Sequence, residues 1–195
     1  MSDEPNKPIT IVTGLARSGT TMMMHILRVA GIRWSLQADE VSGEDGRVMC
    51  GDWSWLDEEM PGRAMKLVDP LCFTPPPPRP DYRCIIMCRN YREQARSQRK
   101  LLLGIGLGRE LKNATVAAIV ASCKRNNAQL IKFIEDFGRS IMINFEDAIL
   151  EPLRTCRRVA DFIGCGDPRV MAKVIVNRSP RCLDYMLELE MTTKT

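Results

Sequence analysis

The sequence predicts an α/β fold, a three-layer sandwich in which a central parallel β-sheet is flanked by helices. Three observations carry this. Short, continuously apolar and β-branched runs such as Ile9 to Thr13 read as strands buried on both faces. Segments of helical period alternate with them, and glycine- or proline-bearing connections stand between. With 195 residues, 45% hydrophobic and 27% charged, the chain is long enough to bury one sizeable core. It has no internal repeat and no shift in composition, so residues 1–195 are expected to form one domain.

The elements follow in order. The first strand, Ile9 to Thr13, runs into Gly14 and a loop of small residues, and a helix is expected from Thr20 to Ala30, stopped by Gly31. A second buried strand is Ala64 to Val68, ended by Asp69-Pro70, and a third is Cys84 to Cys88. The prolines between them, Pro75 to Pro78 and Pro80, read as a surface connection. Helical patterns cover Tyr91 to Leu103 and Lys112 to Phe137. A strand covers Ser140 to Phe145, and a helix covers Pro152 to Ile163, ended by Gly164.

Composition excludes several classes. Twenty-eight Lys and Arg against 24 Asp and Glu give a formal charge of +4, which suits an anionic ligand without implying nucleic-acid binding. Eight cysteines without a CxxC pair, beside a single histidine, leave zinc-ribbon and zinc-finger readings without ligands. A reduced, cytoplasmic chain with buried thiols is expected. The polar, acidic start and the lack of any apolar run near ~18 residues argue against secretion and membrane insertion.

The stretch Gly14-Leu15-Ala16-Arg17-Ser18-Gly19-Thr20-Thr21 has GxxxxG spacing between a strand and a helix. That is the context of a phosphate loop, whose backbone N–H groups and helix N-terminus cradle an anion, and it makes the expected sheet P-loop NTPase-like. The lysine of GxxxxGK[ST] is replaced by Thr20, which weakens an ATPase or kinase reading, and the positive charge stands instead at Arg17.

Arg17-Ser18-Gly19-Thr20-Thr21 resembles the 5′-phosphosulfate loop of sulfotransferases that use 3′-phosphoadenosine 5′-phosphosulfate (PAPS). The resemblance implies that Arg17 contacts the phosphosulfate bridge. Arg89 at a strand end, with Ser97 eight residues on in the next helix, is similar to the 3′-phosphate motif of that family. An Arg at the C-terminal end of a parallel strand points into the ligand crevice, and a hydroxyl on the adjoining helix can supply a second donor. Phe145-Glu146-Asp147 and Phe162-Ile163-Gly164 resemble further family landmarks, read here as packing. The likeness spans Ile9 to Gly164 with gaps in two loops. It implies a PAPS-dependent transferase that releases adenosine 3′,5′-bisphosphate, needs no metal, and takes an acceptor the sequence does not identify.

In this chemistry the protein positions two oxygens and stabilises charge on the bridging oxygen. The N–H groups of Ser18, Gly19, Thr20 and Thr21 suit that task, with Arg17. The segment Met65-Lys66-Leu67-Val68-Asp69-Pro70 resembles one whose histidine is the base, but Val68 stands at that position. Lys66 matches the family lysine that assists the leaving group. The expected bases are Glu40 first and Asp69 second. His25 reads as a helix-face residue, and Arg92, Arg96, Arg99 and Lys100 as a solvated face. By resemblance to a later basic loop in larger relatives, Arg178 and Arg181 are candidates for further donors to the 3′-phosphate, without a matching motif that assigns them.

Two other functions stand beside this one. Asp69 after an apolar strand is Walker-B-like and supports an ATP- or GTP-dependent kinase or hydrolase; loss of the base at Val68 supports a non-catalytic nucleotide-binding protein. The acceptor site is expected to be shallow, to come from the long loop after the first helix, with Trp53 and Trp55, or to be completed by a homodimer partner.

Overall fold

A computed structural model describes residues 7–34, 53, 60–72, 77, 79–104, 115–135 and 138–183. Within them lie five strands: β1 Ile9–Gly14, β2 Arg33–Trp34, β3 Arg63–Val68, β4 Tyr82–Cys88 and β5 Arg139–Asn144. Six helices accompany them: α1 Thr20–Val29, α2 Tyr91–Gly104, α3 Val116–Ile134, α4 Phe145–Leu150, α5 Pro152–Ile163 and α6 Pro168–Ala172. The strands form one sheet in the order β2-β3-β1-β4-β5, and every pairing is parallel.

Burial explains the order. Every residue of β1 is buried, as its unbroken apolar run requires of the central strand. In β5, on the edge, only Ile143 is buried. Alternate residues of each strand supply opposite layers. Val12, Ala64, Ile85 and Ile143 pack against Met23, Met24, Ile26 and Leu27 of α1 and against α4 to α6. Ile11, Met65, Leu67, Cys84 and Ile86 pack with Cys123, Leu130 and Ile134 of α3. The result is the three-layer sandwich expected.

The differences from expectation are local. β2, α4, α6 and a 3-10 turn over Pro70–Cys72 are too short for a periodic signal. Phe145 opens α4 and does not end β5; it is buried while the strand before it is mostly exposed. Helix α3 starts at Val116, capped by the Thr115 hydroxyl, which accepts from the Ala118 N–H. The seven described cysteines are free thiols, but burial is uneven: Cys84, Cys123 and Cys156 are buried, whereas Cys72 and Cys165 are exposed. Among the described residues no helix is long and apolar enough to cross a membrane.

The connection from β3 to β4 passes over β1, so neighbouring chains leave β1 in opposite directions. In an open parallel sheet this reversal opens a crevice at the carboxyl ends of the strands, and the glycine loop lies there.

Candidate active site

The loop between β1 and α1 is held from three sides. Asp69, just after β3, accepts the Ala16 N–H on Oδ1 at 2.9 Å and donates its own N–H to the Gly14 carbonyl at 3.1 Å. Gln94 of α2 donates Nε2 to the Ala16 carbonyl at 2.8 Å. Arg89, following β4, donates Nη1 to the Arg17 carbonyl at 3.2 Å. These contacts hold a strained turn: Arg17 and Asp69 are the non-glycine residues with positive φ, at 66° and 50°, among the described residues.

Two glycines are required by close approach. A Cβ at Gly14 would stand 2.5 Å from Ser18 Oγ and 2.6 Å from the Met87 carbonyl. At Gly19, with φ 103°, it would stand 2.6 Å from the Phe145 ring.

The structure brings the predicted residues of loop and strand ends together. Arg17 donates Nε to Ser97 Oγ at 3.1 Å, across 80 residues of sequence. Lys66 lies on the α1 side of the sheet, where its Nζ donates to Thr21 Oγ1 at 3.3 Å. Thr20 is the first residue of α1, behind Gly19 as its cap. The Ser18 N–H is used within the loop, on the Leu15 carbonyl at 3.1 Å, so it does not join the N–H groups expected to face an anion. Glu40 lies outside the described residues, as does Trp55. The carboxylate of Asp69, expected as a base, already braces the loop.

Positive charge is concentrated here. Arg89 is 7% exposed and forms no ion pair among the described residues; its Nη2 donates to the Pro180 carbonyl at 3.5 Å, and its Nε has no hydrogen-bond partner. Burial, and then the neighbouring Arg178, push its pKa below the ordinary value, with Arg17 adding to the same effect. Ser18 Oγ, on a residue 1% exposed, is also without a partner. Buried polar atoms left this way are uncommon in folded proteins. Ser18 follows Arg17 in the loop that Arg89 braces, so both unpartnered donors belong to the same end of the sheet, and donors of this kind fit an anion. A groove of about 450 Å³ opens beside Arg89, lined also by Asn90, Tyr91, Asn127, Met142, Asn144 and Glu146.

No protein-family model and no curated protein matches the sequence. Solved structures do match. The chain is similar to the sulfotransferase domain from the curacin biosynthetic pathway, with 12% identity and a TM-score of 0.52 over 85% of this chain and 76% of that one. It is similar to retinol dehydratase in complex with androsterone and the inactive cofactor PAP, with 15% identity and a TM-score of 0.54 over 97% and 71%. Retinol dehydratase with retinol and PAP matches at 16% identity and the same TM-score, over 89% and 64%. This is the sulfotransferase fold. In this sulfotransferase-fold chain the glycine loop, Arg89 and α2 meet at one end of the sheet.

Sequence reasoning missed Gln94, which lies three residues before Ser97 on the same inward face of α2 and could have been found by that spacing. It also missed Phe145, whose apolar ring carries no sign of the cations around it.

Proposed function

We propose that this chain is a sulfotransferase that moves a sulfuryl group from PAPS to a hydroxyl or amine acceptor and releases adenosine 3′,5′-bisphosphate. One observation carries the reading: Arg17 of the loop, Ser97 of α2 and Arg89 after β4 form one hydrogen-bonded constellation. A nucleotide with phosphates on both sides of its ribose needs two anion sites in register, and ATP has no use for the second.

The residues divide the work. Sulfuryl transfer is an in-line displacement that builds charge on the oxygen bridging phosphorus and sulfur. Arg17 and the first-turn N–H groups of Thr20 and Thr21 lower the energy of that charge, and Lys66 adds a cation beside Thr21. Arg89 and Ser97 hold the 3′-phosphate. Glu40 takes the acceptor proton, because Asp69 is committed to the Ala16 N–H. The whole chain acts as one domain, and the acceptor site is shallow, built by the loop after α1, or completed by a second copy of the chain.

Thermal shift tests this with adenosine 3′,5′-bisphosphate against ATP plus Mg²⁺. The bisphosphate is expected to stabilise, and Arg89→Met to weaken it far more than 5′-AMP; stabilisation by ATP-Mg²⁺ alone overturns the reading. A non-catalytic nucleotide-binding role is favoured by Val68 and by the engagement of Asp69. Sulfate transfer from PAPS to phenols, amines and sugars, with Glu40→Gln beside the wild type, separates enzyme from binder.

A further inference from the structure

Three parts of the chain converge on one ring. Phe145, 3% exposed, is the first residue of α4, where the chain turns out of the edge strand β5. The Arg89 guanidinium lies over its ring, 4.4 Å from the centroid, and the Arg178 guanidinium over the same ring at 5.3 Å. The ring's edge also abuts the glycine loop, leaving no room for a Cβ at Gly19. Its position is fixed from beside: Glu146 Oε1 accepts the Asn90 N–H at 2.9 Å, tying the start of α4 to the residue after Arg89.

Bringing two guanidiniums onto one ring works against their mutual repulsion. Burial of Arg89 removes the water that would otherwise screen it. An aromatic face offsets part of this, since its quadrupole is negative and it demands no proton or counter-charge. A carboxylate at the same place would pair with the arginines and occupy the donors an anion needs.

We propose that Phe145 is a positioning residue that holds Arg89 and Arg178 together as a twin-guanidinium clamp, and so sets the preference for a nucleotide carrying a second phosphate. This rests on the bisphosphate reading above. It differs from packing in one respect: the electron density of the ring matters, as well as its shape.

The test substitutes Phe145 with Leu and, by genetic incorporation, with mono-, di- and trifluorinated phenylalanine, which weaken the quadrupole at nearly constant shape. Calorimetry measures adenosine 3′,5′-bisphosphate against 5′-AMP. Phe145→Leu is expected to weaken the bisphosphate about tenfold and 5′-AMP less than twofold, with the fluorinated series falling stepwise between. Wild-type protein that does not prefer the bisphosphate overturns the function reading. A wild-type preference that survives every substitution overturns the clamp alone. NMR of the arginine Nε–H groups reads the clamp without ligand: Phe145→Leu is expected to shift the ring-shielded signals of Arg89 and Arg178, and unmoved signals overturn it.

Discussion

Around Arg17 the crevice is shaped by backbone, with Gly14 and Gly19 in tight approach, a left-handed Arg17, and the side chains of Asp69, just after β3, and Gln94 of α2 bonded to main-chain atoms. Around Arg89 it is shaped by side chains, two guanidiniums on a phenyl ring. The contrast has a physical basis. The loop follows the central strand, where both faces are packed and little else can move. Phe145 follows the edge strand, where side chains are free to be arranged. The first region should therefore fail abruptly when a backbone position is altered, and the second should lose ligand preference by degrees.

The largest expected effect is Gly14→Ala. Its Cβ meets the Met87 carbonyl of β4, which the sheet holds in place, so urea denaturation should show a loss of about 3 kcal/mol or an unfolded chain. A stable, unchanged variant would break the comparison at its strongest point.

Asp69→Ala comes next, leaving the Ala16 N–H without its acceptor at a cost of about 1–3 kcal/mol. Asp69→Asn keeps an amide oxygen there and should lose much less stability. If Asp69→Asn folds like the wild type yet transfers no sulfate, the carboxylate is a base as well as a brace.

Ser97→Ala removes the acceptor from Arg17 Nε and should cost about 1 kcal/mol or less in the same denaturation measurement. An effect as large as that of Gly14→Ala would show that the loop depends on its side chains after all.

The smallest effect concerns His25, one turn after Thr21 on α1. Its ring meets Trp34 edge-on, with centroids 5.3 Å apart, and burial, then Arg28 and Lys66, lower its pKa below the ordinary 6.5. Between the lowered value and 6.5 the unfolded chain binds more protons than the folded one. The stability this group contributes is therefore complete above pH 6.5 and is lost as pH falls. Melting temperatures from pH 7 to pH 5 should fall less in His25→Gln than in the wild type.

Much of the fold was legible because the buried runs of β1, β3 and β4 admit few alternatives, and Gly31 and Gly164 mark helix ends whatever surrounds them. β2 was not, since two residues, Arg33 and Trp34, carry no period. Phe145 was misplaced because an aromatic after Ile-Met-Ile-Asn continues a strand by pattern, whereas the chain bends there to bury the ring. Of the candidate site, the loop, Arg89 and Ser97 were legible as positions, and the structure ties both Ser97 and Arg89 to Arg17. The job of Asp69 was not legible, because its partner, the Ala16 N–H, lies 53 residues away.

By itself the sequence determined the layered sheet and the glycine loop, because both follow from local rules. A run buried on both faces must be apolar throughout, and a turn too tight for Cβ must carry glycine. Only the tertiary structure decided which charges meet. The loop and the strand end set Arg17 and Arg89 apart from the exposed arginines of α2, but Arg17, Arg89 and Arg178 are distant in the chain, and their spacing does not show that they meet. They meet because parallel strands end at a common edge, and because the guanidiniums of Arg89 and Arg178 lie over one ring there.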